Sequence, residues 1–167
     1  TTGFATDDFD QWPNYLRIYM VLIMFGACSG STSGSLKAIR MVIILKIIYR
    51  ELQKLVHPRA VISIKVGQKA LDNSQVTSVL ALWGIFFILS SLSFILLSLM
   101  GLDATSSITG TLACITNVGP GLGSVGPAGH YADIPSAGKW ILSLLMLMGR
   151  LEIYGILLLF FPMTWKK

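Results

Sequence analysis

"DATSSITGTLACITNVGPGLGSVGPAGHYADIPSAG", residues Asp103 to Gly138, decides the fold. Its opening, "DATSSITGTLACI", supports a helix of about twelve residues, which at about 1.5 Å per residue is too short to cross roughly 30 Å of hydrocarbon. The remainder, "TNVGPGLGSVGPAGHYADIPSAG", is nearly uncharged, yet too crowded with Gly and Pro to be a helix. On the N-terminal side, Asn73 to Leu102 contains no charged residue and exceeds the roughly 20 residues that a spanning helix needs. On the C-terminal side a last helix is expected from about Lys139 to Phe161. The whole chain agrees with a membrane setting: of 167 residues 53% are hydrophobic and 13% charged, and mean hydropathy is +0.69.

Charge sets the direction. Lys37, Arg40, Lys46, Arg50, Lys54, Arg59, Lys65 and Lys69 cluster between the first and second spans, and Lys166 and Lys167 end the chain. An excess of basic residues marks the cytoplasmic side, so residues 37–69 and the C-terminus are expected there. Asp7, Asp8, Asp10, Asp103 and Asp133 fall at the opposite ends of the helices. Residues 103–138 therefore leave and return on the outer side, as a re-entrant pore loop. Irregular backbone at membrane depth costs several kcal/mol per unsatisfied group unless it is buried in protein or lines water. The short helix aims the negative end of its dipole at the turn, and Gly119 permits backbone angles that point successive carbonyls into a lumen.

A plain outer turn is the simpler reading of "NVGP" alone, and internal repetition argues against it. "TTGF" is followed by acidic residues, Trp12 and a helix containing "LIMFG"; "NVGP" is followed by Asp133, Trp140 and a helix containing "LMLMG". Two copies of one strand-then-helix unit are visible, the first without its incoming helices. With Thr1 in place of an initiator Met, the chain reads as a fragment that begins inside a unit.

The first half carries a second feature. A helical stretch over residues 14–56 is interrupted by "GACSGSTSGSLK", Gly26 to Lys37. A phosphate loop needs Gly-Lys-Ser/Thr after its spacer, which Gly34-Ser-Leu-Lys fails to supply. An intramembrane serine hydrolase using Ser29 or Ser31 needs a nearby histidine, and His57 and His130 sit in loops on opposite sides. A small-residue packing face would space its residues, whereas Ser29, Gly30, Ser31, Thr32, Ser33, Gly34 and Ser35 are consecutive poor helix formers. A break in a pore-lining helix is the expectation. Arg150, eleven residues beyond Lys139, falls roughly 16 Å into the bilayer, at about the depth of Gly26, and needs polar partners there.

Between the spans, "HPRAVISIKVGQKALDN" alternates apolar and polar residues around Val66-Gly67, as a short hairpin does. Its charge fits cytoplasmic topology or a docking surface for a cytosolic regulator. Cys28 and Cys114 lack metal-ligand spacing and read as small packing residues; the tryptophans near helix ends read as lipid-interface anchors.

Together "TTGF", "GACSGSTSGSLK", "HPRAVISIKVGQK", "TNVGPGLGSVGP" and "MLMGRLEIY" resemble the C-terminal part of the Trk/Ktr superfamily of potassium transporters, most closely the bacterial Trk membrane subunit. The resemblance implies an all-α integral membrane protein of potassium-channel-like helix, pore-loop, helix repeats, with one broken pore-lining helix. Residues 1–56 would hold the end of the third repeat, 57–73 a cytoplasmic linker and 74–167 the fourth repeat. It further implies that carbonyls of Thr1, Thr2, Gly3, Asn117, Val118 and Gly119 coordinate K⁺, with Thr2, Gly3, Val118 and Gly119 as the ion sites. Gly26, Ala27, Cys28, Ser29, Gly30, Ser31, Thr32, Ser33, Gly34 and Ser35, with Lys37 and Arg150, would form a gate below this filter. The implied function is K⁺ uptake across the bacterial cytoplasmic membrane without covalent chemistry or a resident cofactor, with Na⁺ or mixed-cation passage as the alternative. Implied partners are the rest of a four-repeat chain, a second copy, membrane lipid and a nucleotide-binding regulatory subunit, with no nucleic acid.

Overall fold

The computed structural model describes residues 3–17, 37–58, 62–67, 69–151 and 153–160. The tract from Gly26 to Ser35, with Thr1 and Thr2, lies outside these residues. The described elements are α1 (Ala38–Val56), a two-stranded hairpin of β1 (Lys65–Val66) and β2 (Lys69–Ala70), α2 (Asn73–Leu99), α3 (Ala104–Ile115), α4 (Ser136–Arg150) and α5 (Ile153–Phe160). Short 3-10 turns occupy Phe9–Gln11, Gly123–Val125 and Tyr131–Asp133.

α2 is the one described helix long and apolar enough to cross a membrane. It starts at a capping box, in which Asp72 accepts from the backbone of Gln75 and the Gln75 side chain accepts from the Asp72 N–H. Two further groups fix its end. Gly101, at φ +90, lets Leu102 donate to the Leu97 carbonyl and Gly101 to the Ser98 carbonyl, a Schellman motif. Asp103 follows at once as the N-cap of α3, accepting from the Thr105 N–H at 3.0 Å. The chain thereby reverses within a few residues.

Contacts at two levels set the helix directions. At one end of α2, Gly138 near the start of α4 faces Leu97 and Met100, and a Cβ on Gly138 would come within 3.2 Å of the Leu97 side chain. At the other end, the Tyr154 hydroxyl on α5 donates to the Ser78 carbonyl at 2.6 Å. α2 therefore runs antiparallel to α4 and α5, and residues 103–135 leave and return on one side. Between the long helices, α3 packs on both α4 and α2. Its last turn meets α4 at Gly149, where a Cβ would run into the Ile115 carbonyl. Gly149 is eleven residues past Gly138, roughly 16 Å along a helix, so α3 stops about halfway through the thickness that α2 crosses.

The main core lies around this contact, with Leu97, Ile115, Val125 and Leu145 essentially inaccessible to solvent. A second cluster of Ile43, Ile47, Ile64 and Val76 joins α1 to the hairpin and the foot of α2. The hairpin register pairs Val66 with Lys69, and Gly67 sits at φ +61 in its tight turn.

One helix differs from the sequence expectation. The expected continuous helix from Lys139 to Phe161 begins at Ser136, stops at Arg150 and resumes at Ile153. Leu151 leaves the helical range at ψ +12, immediately after the close approach at Gly149.

Candidate functional site

The site is built where α3 ends. Asn117 adopts φ +57, the left-handed position that normally selects glycine. Its N–H donates to the Cys114 carbonyl at 3.1 Å, and the Val118 N–H donates to the Ala113 carbonyl at 2.9 Å. This is a second Schellman motif, with Asn in the position that Gly101 holds in the first. The Asn117 side chain also donates to the Met146 carbonyl at 3.3 Å, which fastens the turn to α4. Gly119 follows at φ +109, a backbone state that side chains rarely permit.

From Gly119 the chain climbs back along α3, and hydroxyls of the helix satisfy its backbone. Thr109 Oγ1 accepts from the Leu122 N–H at 2.9 Å and donates to the Thr105 carbonyl at 2.7 Å. Ser106 Oγ accepts from the Ser124 N–H at 3.0 Å. Both residues are buried, so irregular backbone survives at this depth because α3 replaces the missing water.

Three contacts define the space in front of the strand. A Cβ on Gly119 would lie 3.4 Å from Gly3 Cα, so these two glycines meet across the chain. The Asp10 carboxylate accepts from the Gly123 N–H at 2.9 and 3.0 Å, and a Cβ on Gly126 would collide with that carboxylate. The Tyr131 hydroxyl donates to the Gly119 carbonyl at 2.8 Å. A cavity of about 710 Å³ opens between Gly3, Gly119, Pro120, Tyr131 and α4 residues including Met146.

Of the sequence-derived candidates, Gly3 and Gly119 line this cavity, and Asn117 and Val118 form the turn that leads into Gly119. Lys37 stands at the N-cap of α1. Arg150 ends α4, exposed, where a cation complements the negative end of the helix dipole. The proposed gate tract lies outside the described residues. Sequence reasoning passed over Tyr131, Asp10, Thr109 and Gly149. The acidic cluster at the start of the chain hinted at Asp10, but the other three roles depend on the path of the loop.

A spanning helix, a short helix that enters and stops, a strand that returns and a second helix beside them make this a pore-loop membrane protein, all-α apart from the hairpin. Comparison with known proteins is more specific: residues 1–167 match the TrkH family, described as "Cation transport protein", and the chain belongs to that family. It is 40% identical to "Trk system potassium uptake protein TrkH" of Halomonas elongata and 41% identical to the protein of that name from Escherichia coli K12. Each alignment covers 100% of this chain and 34% of the relative, so the chain spans about a third of their length. The crystal structure of the potassium transporter TrkH from Vibrio parahaemolyticus superposes with a TM-score of 0.87 at 39% identity, over 98% of this chain and 35% of that one. The family is one of transport proteins rather than enzymes, and the serine hydrolase alternative falls with that assignment.

Proposed function

We propose that this chain forms part of the K⁺ pathway of a bacterial potassium-uptake protein of the cytoplasmic membrane. The observation that carries the reading is the meeting of Gly3 and Gly119, equivalent glycines of the two sequence repeats, beside a cavity of about 710 Å³. Carbonyls of Thr1, Thr2 and Gly3, and of Asn117, Val118 and Gly119, would replace the hydration water of K⁺, with strands from further repeats completing the ring. The relatives' names, potassium uptake proteins, point to the same ion. Below the strands, Gly26 to Ser35 with Lys37 and Arg150 would regulate passage. The exposure of Arg150, one residue beyond the Gly149 contact under the strand, supports that reading. A second copy and a nucleotide-binding regulatory subunit are the proposed partners, the latter at the basic face of residues 37–69, which with the C-terminus would lie in the cytoplasm.

Flux into liposomes containing the full-length protein tests both parts. Gly3→Ser and Gly119→Ser should each reduce K⁺ influx or its preference over Na⁺, and wild-type passage of Na⁺ at the K⁺ rate would reject K⁺ selection. Deleting Gly30 to Ser35, or making Arg150→Ala, should raise influx. Unchanged influx in both would sink the gate.

A further inference from the structure

We propose that Tyr131 is a positioning residue for ion selection: its hydroxyl holds the Gly119 carbonyl and biases it toward the larger alkali cation. The inference rests on reading residues 117–119 as an ion-selecting strand.

Tyr131 lies twelve residues beyond Gly119 and folds back onto it, with its O–H 2.8 Å from the Gly119 carbonyl. That carbonyl needs an external restraint. Gly119 has the widest conformational freedom of any residue type, and no backbone hydrogen bond among the described residues holds its oxygen. The turn that carries Tyr131 is itself anchored. Ile134, just after it, is buried in the core, and the Lys139 ammonium donates to the Ala132 carbonyl at 2.7 Å. The tyrosine ring packs against the main core, which includes the buried Cys114 near the end of α3. Gly119, Tyr131 and Cys114 all line the cavity that contains Gly3.

A carbonyl oxygen with one lone pair engaged by a fixed hydroxyl is held in place, and it offers a cation a weaker field than a free one. The number, field strength and mobility of such oxygens govern discrimination between K⁺ and Na⁺. A held, weaker oxygen cannot close in around the smaller ion. Without the hydroxyl, Gly119 can do so, and Na⁺ gains more from that movement than K⁺.

The test uses full-length protein in liposomes, with K⁺ and Na⁺ influx measured separately for Tyr131→Phe, Cys114→Val and Gly119→Ser. Tyr131→Phe should lower the K⁺/Na⁺ influx ratio about fivefold, the factor expected for one net neutral hydrogen bond. Cys114→Val should shift the ratio in the same direction by less. The clamp is overturned, and the strand reading survives, if Gly119→Ser changes the ratio or the K⁺ influx while Tyr131→Phe leaves the ratio unchanged or lowers both influxes in equal proportion. Wild-type K⁺ influx together with a wild-type ratio in Gly119→Ser overturns the strand reading and the clamp with it. Should Tyr131→Phe fail to fold, the Cys114→Val ratio decides: a fall supports the clamp, and the wild-type value rejects it.

Discussion

The Asp10 carboxylate and the Gly123 amide, 113 residues apart in the chain, are joined by hydrogen bonds of 2.9 and 3.0 Å. Asp10 follows the first strand-bearing segment and Gly123 the second, so this contact fastens one repeat to the next beside the meeting of Gly3 and Gly119. An ionised acceptor makes the bond stronger than a neutral pair, although partial exposure moderates it. Asp10→Ala should lower the stability of the full-length protein by about 1–2 kcal/mol. A thermal unfolding series in detergent would show it, and Asp10→Asn, which keeps one acceptor oxygen, should fall between Asp10→Ala and wild type.

Gly149 and Gly155 make a matched pair of substitutions on consecutive helices. A Cβ at Gly149 would strike the Ile115 carbonyl and come within 2.5 Å of the Asn117 side-chain nitrogen, whereas one at Gly155 meets nothing within 4 Å. Gly149→Ala should destabilise by about 1–3 kcal/mol, as overpacking does, and should depress ion flux by displacing the strand beneath α3. Gly155→Ala should match wild type in both measurements. Equal behaviour of the two variants would contradict the close approach of α3 and α4.

Asn117 can be tested through its backbone. At φ +57 an alanine costs about 1–2 kcal/mol more than a residue suited to the left-handed region, whereas glycine carries no such strain. Asn117→Gly loses only the side-chain bond to Met146, so it should retain more stability and more K⁺ influx than Asn117→Ala. The reverse order would show that left-handed strain at residue 117 does not set the stability of the turn.

The architecture of the second half is legible in the sequence because it rests on local rules. Asn73 to Leu102 carries no charge, and the twelve residues of α3 are too few to span, so a helix that enters and a chain that returns follow from length and composition alone. Residues whose role depends on the path of the loop are not legible. Nothing in "GHYADI" says that Tyr131 turns back onto a carbonyl twelve residues earlier. The interruption at Leu151 is equally silent: "RLEIY" contains no Gly or Pro, and the break follows a tertiary contact at Gly149. Asn117 is half-legible, since Asn tolerates the left-handed region, but the same residue fits an ordinary turn.

The bond from Asp10 to Gly123 also imposes an order in time. A ribosome adding about 5–20 residues per second needs on the order of ten seconds to make the chain between them. For that interval Asp10 waits in the nascent membrane protein without the amide it will hold. The contact around Asp10 is therefore completed only by the synthesis of the segment that carries Gly123, and two segments distant in the gene mature as one unit.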